Sequence, residues 1–122
     1  MTTYTLNNRQ EIEDLMTDGG PAAIIDFWAP WCGPCRAMAP QFEAASEAMD
    51  GQPVTFYKVN TQKHPDLAAA FNIRSLPTIV AIHDGEIQDV LIGAQDCYGI
   101  KRIAERLVSR ARGDGFFRRL FS

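Results

Sequence analysis

The chain has 122 residues, room for one domain built on one core and too few for two. Its 46% hydrophobic and 22% charged residues are ordinary for a water-soluble globular domain, and no run approaches the roughly 18 apolar residues a membrane span needs. The net charge of −3 is unevenly spread, with five Lys or Arg against thirteen Asp or Glu in residues 1–100 and seven against two in residues 101–122; an acidic body argues against a nucleic-acid groove, and the basic tail is the unusual feature.

Tyr4-Thr5-Leu6 reads as a short edge strand, followed by Asn7 or Asn8 as N-cap of a helix with Ile12, Leu15 and Met16 on its apolar face. Asp18-Gly19-Gly20-Pro21 ends that helix. Residues 22–29 are almost continuously apolar, the mark of a strand buried on both faces. Met38, Phe42, Ala45 and Met49 then recur at spacings of four, three and four, which is a helix face over roughly 34–49, with Pro40 inside it as an expected kink. Gly51-Gln52-Pro53 precedes a strand at 54–59, and His64-Pro65-Asp66 opens a short helix through Phe71 that Asn72 closes. Strands at 77–82 and 86–92 are joined by His83-Asp84-Gly85, where Asp-Gly supplies a positive-φ hairpin turn. A last helix starts near Asp96, with Ile100, Ile103, Ala104, Leu107, Val108 and Ala111 on one face and Arg102, Arg106 and Arg110 on another.

Cys32 and Cys35 fall where the central strand hands over to a helix. A cysteine at a helix N-terminus meets unpaired backbone N–H groups and the positive end of the peptide dipoles, and both favour thiolate over thiol. Cys32 is the residue so placed, and Cys35 on the first turn can approach it closely enough to close a disulfide, making a reversible two-electron switch. A zinc half-site or an inert pair is the rival reading. Zinc normally takes four ligands, and the sequence has no second CxxC, while His64 and His83 lie far apart in polar loops. No metal is expected. Asp26 lies in the buried strand, where an ionised carboxylate is disfavoured unless paired or protonated; it is either a strand-end or hydrogen-bonded structural residue or a carboxyl of raised pKa able to move the Cys35 proton. Pro77 is anomalous in a strand, because it has no N–H for the ladder.

The run Trp28-Ala29-Pro30-Trp31-Cys32-Gly33-Pro34-Cys35 resembles the active site of the thioredoxin family, and the likeness extends over roughly residues 4–110 through Asp26, Pro40, Lys58, Ser75-Leu76-Pro77-Thr78, Asp84-Gly85 and Gly93. The resemblance implies an α/β thioredoxin fold, a mixed central sheet of about five strands flanked by four helices in the order β-α-β-α-β-α-β-β-α. It further implies a protein-disulfide reductase in which Cys32 is the nucleophile and Cys35 the resolving thiol, with Asp26 as proton acceptor and Lys58 as its charge partner. Trp31, Gly33, Pro34, Leu76, Pro77 and Gly93 would form the substrate surface beside a cis Leu76–Pro77 bond, with Trp28 and Pro40 structural. Gly33-Pro34 between the cysteines is the pairing that the family's reductants carry. No cofactor would be bound, and electrons would come from NADPH through a thioredoxin reductase to disulfide-containing protein substrates. The first twenty residues hold Arg9 and four acids with no apolar h-region, so the expected location is cytoplasmic, and the expected state is a monomer.

Thr61 stands where many thioredoxins have Asp, and Val59-Asn60-Thr61 resembles a second bacterial type that usually carries a zinc-binding N-terminal extension, not found in this sequence. Cys97 is a third thiol, read either as a small core hydrophobe or as a regulatory group. The domain is expected to cover 1–112. The tail, 113–122, sets Phe116, Phe117, Leu120 and Phe121 around Arg118 and Arg119; it is either self-packed or an amphipathic hook for a partner or an anionic membrane. A different class of function, a binding module using the Trp31, Pro77 and Gly93 surface with incidental redox turnover, remains the alternative.

Overall fold

The computed structural model of the protein describes residues 3–121, with side chains described through Arg112. Its elements are β1 (Thr3–Thr5), α1 (Arg9–Leu15), β2 (Ala23–Trp28), α2 (Gly33–Ala48), β3 (Thr55–Asn60), α3 (Pro65–Ala70), β4 (Thr78–His83), β5 (Glu86–Ile92) and α4 (Cys97–Phe121). This is the expected order, a mixed five-stranded sheet with four helices. The strands lie in the order β1-β3-β2-β4-β5, with β1, β3 and β2 parallel and β4 and β5 antiparallel to their neighbours. Leu6 falls just outside β1, where its N–H still bonds the Lys58 carbonyl. Pro77 precedes β4 instead of opening it, so the ladder never meets the missing N–H.

Alternation along β2 builds two cores, one on each face of the sheet. Ile24 points to the side covered by α2 and α4, among Met38, Phe42, Phe56, Ile79 and Leu107. Ala23, Ile25 and Phe27 point to the other side, against Ile12, Leu15, Val59, Leu67 and Val80. Asp26 therefore shares the α2 and α4 side with Ile24, two residues nearer the end of β2 from which the chain enters α2.

Asn8 caps α1 by accepting the Glu11 N–H at 2.9 Å. The β4–β5 hairpin turns through Asp84 (φ 57°) and Gly85 (φ 71°), as the Asp-Gly pair implies. Gly85 is required twice over, because a Cβ there would also sit 2.9 Å from the Thr17 carbonyl oxygen. The Asp84 carboxylate accepts the Gly19 N–H and ties this turn to the end of α1. Pro40 lies inside α2 without ending it. A bulge interrupts the hairpin: Ala81 pairs with Asp89 and Ile82 with Ile87, leaving Gln88 over. Helix α4 continues past position 112, where the sequence places the end of the domain; the side chains of 113–122, and with them the amphipathic pattern of the tail, lie outside the described residues. Among those residues no helix is long and apolar enough to cross a membrane.

Candidate active site

The site forms where β2 ends, because the chain must turn from the buried strand into α2 within four residues. Cys32 is the N-cap of α2, with extended backbone angles (φ −88°, ψ 108°), and its Sγ accepts the Cys35 N–H at 3.3 Å. Sulfur thus takes the place usually held by a serine or aspartate oxygen, on one of the N–H groups a helix start leaves unpaired. Pro34 occupies the first turn, where a missing N–H removes nothing from the helix. Cys32 and Cys35 are joined as a disulfide with Cα atoms 5.2 Å apart. The sulfurs are well covered, at 5% and 2% exposure for the two residues, while Trp31, Gly33 and Pro34 around them lie open to solvent.

Leu76 packs against the buried cluster of Ala29, Cys32 and Cys35, as Trp28 does, which brings the segment before β4 to the cysteine pair. The Leu76–Pro77 bond is cis, as the resemblance implies. Around it, the Thr78 hydroxyl donates to the Ser75 carbonyl at 2.7 Å and the Gly93 N–H donates to the Pro77 carbonyl at 2.9 Å. Gly93 has φ 98°, which L side chains rarely adopt. Trp31, Gly33 and Pro34 thus lie exposed beside the buried disulfide, Leu76 packs against it, and Gly93 is tied to the adjoining Pro77 carbonyl.

Asp26 is 1% exposed, and neither carboxylate oxygen has a hydrogen-bond partner among the described residues. Burial is the larger influence and raises its pKa from 3.8 to about 7; the Lys58 ammonium pulls in the opposite direction and is outweighed. Lys58 is the register partner of Asp26 on β3, so the two side chains leave the same face of the sheet. The Lys58 Nζ also lies 5.0 Å from the Trp28 ring centroid, a cation–π contact that holds it beside the carboxyl. The Trp28 carbonyl accepts both the Thr61 N–H at 2.8 Å and the Thr61 hydroxyl at 2.9 Å. Thr61, marked in the sequence as a departure from the family pattern, thus fastens the end of β2.

Arg36 is an addition that the sequence reading does not contain. Its guanidinium donates to the Pro30 carbonyl at 2.8 Å, bracing the turn that presents Trp31 and Cys32. A cation four residues after an N-cap cysteine is the available signal. Cys97 starts α4 as a free thiol outside the disulfide, its N–H bonded to the Gln41 side chain at 2.9 Å and its body packed on the core.

A family model described as Thioredoxin matches residues 4–106. The chain belongs to the thioredoxin family. It is 52% identical over 71 residues to the thioredoxin of Mycoplasma genitalium, covering 57% of this chain and 67% of that protein. With the chloroplastic M-type thioredoxin of Spinacia oleracea the identity is 36% over 87 residues, 71% of this chain and 48% of that protein. The chain spans about half the length of several curated relatives it matches. Among solved structures, the thioredoxin of Malassezia sympodialis superposes with a TM-score of 0.78 at 29% identity, over 87% of this chain and 90% of that one. The thioredoxin fold is therefore shared over 87% of this chain, with the CxxC pair at the start of α2.

Proposed function

We propose that this thioredoxin-family chain is a protein-disulfide reductase that works by dithiol–disulfide exchange. In the reduced state the Cys32 thiolate attacks one sulfur of a substrate disulfide, forming a mixed disulfide and releasing the other substrate sulfur as a thiolate. Cys35 then loses its proton and attacks the Cys32 sulfur, closing the Cys32–Cys35 bond and freeing the reduced substrate. Two electrons pass from the cysteine pair to the substrate. The protein is left in the oxidised state described above.

The proposed role of Asp26 is to take the Cys35 proton. A carboxyl with its pKa near 7 can accept and return a proton at neutral pH, whereas an ordinary carboxylate is too weak a base to do so efficiently. Lys58 is proposed to set how basic that carboxyl is. Trp31, Gly33, Pro34, Leu76, Pro77 and Gly93 are proposed to hold the substrate backbone, with Trp28 and Pro40 in structural roles.

The observation that carries this reading is the Cys32–Cys35 bond at the N-cap of α2, with Trp31, Gly33 and Pro34 exposed around it. We further propose that NADPH reloads the pair through a thioredoxin reductase, with no cofactor bound to this chain, in a reducing compartment such as the cytoplasm and with the protein acting as a monomer. The test is reduction of insulin disulfides coupled to NADPH consumption by a thioredoxin reductase. Many turnovers per molecule, lost on Cys32→Ser, are expected; binding of disulfide proteins without turnover would instead support the binding-module reading.

A further inference from the structure

Beyond Gly93, exposed apolar side chains lie along β5. A groove of about 260 Å³ runs there, with Thr78 and Val80 as its floor, residues 71–75 as one wall, and Ile87, Val90 and Ile92 as the other. Those three side chains are 48%, 47% and 68% exposed. On a regular strand Ile87 and Val90 would point to opposite faces, because they are three residues apart. The bulge at Gln88 cancels that offset, since Ile82 and Val80 lie on one face and are the partners of Ile87 and Val90. The result is an aliphatic stripe about 17 Å long at ~3.4 Å per residue.

Single exposed apolar residues need no explanation, but three of them along one wall of a groove that runs up to a reactive centre, opposite a wall that includes the polar Asn72, Arg74 and Ser75, do. Its upper end is formed by Ser75 and Ile92, the residues immediately before Leu76-Pro77 and Gly93. A substrate chain reaching the sulfurs therefore has the groove within a few residues of its own cysteine.

We propose that this groove is a docking subsite of the redox site, occupied by an extended apolar segment of the disulfide-bearing protein. It selects substrates with two large aliphatic or aromatic side chains, on alternate positions, roughly three to eight residues from the attacked cysteine at ~3.3 Å per residue. The proposal rests on the reductase reading and names a substrate class for it. What favours this occupant is the continuity of the groove with the sulfur-bearing surface and a length that matches about five extended residues.

The test uses the full chain and synthetic peptides with one disulfide, identical except that two alternate positions are Leu and Val or Ser and Ser, placed before the cysteine in one pair and after it in another. Single-turnover reduction by the dithiol protein should be about tenfold faster for an apolar peptide than for its Ser partner, on one side of the cysteine. The double variant Ile87→Thr, Val90→Thr, and Val90→Thr alone in smaller measure, should lose that preference while reducing a small aromatic disulfide at the original rate. Equal rates for all peptides, or a preference that survives the double variant, would overturn the docking subsite while leaving the reductase reading in place. A dimer in sedimentation that the double variant dissociates, with no peptide preference, would reassign the face to a second copy of this chain. Failure to reduce even the small disulfide would remove the reductase reading itself.

Discussion

Asp26→Asn should make the protein more stable at alkaline pH than the parent and alter how its stability varies with pH. The folded carboxyl has a pKa of about 7 against 3.8 for the unmodified group, a difference of about three units, because burial disfavours its ionised form more than Lys58 favours it. At 1.36 kcal/mol per unit this amounts to ~4 kcal/mol. The sign follows from proton counts. Between the two pKa values the folded state keeps a proton that the unfolded state has lost, so the stabilisation is fully present below pH 4 and is lost as pH rises through 7. About 3 kcal/mol of the loss should fall between pH 4.5 and 8.5. Asparagine removes this dependence. A buried amide without partners adds its own penalty of about 1–3 kcal/mol, but that penalty does not vary with pH. The measurement is therefore the difference in unfolding free energy between parent and variant, from urea titrations of the oxidised proteins at half-unit pH steps. The difference curve should move in the variant's favour by about 3 kcal/mol across the range, or about 10 °C in melting temperature. A difference flat to within about 1 kcal/mol would mean that Asp26 is solvated or paired, and the raised pKa would be wrong. In the same variant, the step in which Cys35 releases substrate should slow at neutral pH, while attack by Cys32 should not.

Lys58→Met removes the group that lowers the Asp26 pKa, so the midpoint of that same difference curve should move to higher pH; a shift downward would contradict the charge pairing. Cys35→Ser should halt the exchange at the first covalent step, so that Cys32 accumulates as a mixed disulfide with insulin, visible on non-reducing gels and reversed by dithiothreitol; absence of the adduct would argue against Cys32 as the nucleophile. Gly85→Ala should destabilise the protein by about 1–3 kcal/mol, since it forces an L side chain to a positive φ, and to within 2.9 Å of the Thr17 carbonyl oxygen. An unchanged melting temperature would show that the turn relaxes freely.

What could be read in the sequence was whatever is encoded over a few neighbouring residues. The spacing of Cys32 and Cys35 at a strand-to-helix junction placed the sulfurs, and the Asp84-Gly85 pair placed the hairpin, because caps and turns are local. Asp26 could be placed in a buried strand for the same reason, but its two possible roles could not be separated there. What bears on them comes from tertiary packing: its face is the one roofed by α2 and α4, its neighbour across the ladder is Lys58, and among the described residues no donor reaches either oxygen. Arg36 shows the same limit, since its use depends on the turn that carries the Pro30 carbonyl back to within 2.8 Å. The groove on β5 lies furthest from local patterning. Periodicity alone would scatter Ile87 and Val90 to opposite faces, and a single extra residue in the ladder, set by how β4 and β5 pair, gathers them onto one. Chemistry carried by neighbouring residues is thus written in the motif. The environment that tunes a buried acid, and the surface that selects what the motif acts on, depend on register, and register exists only after the strands have met.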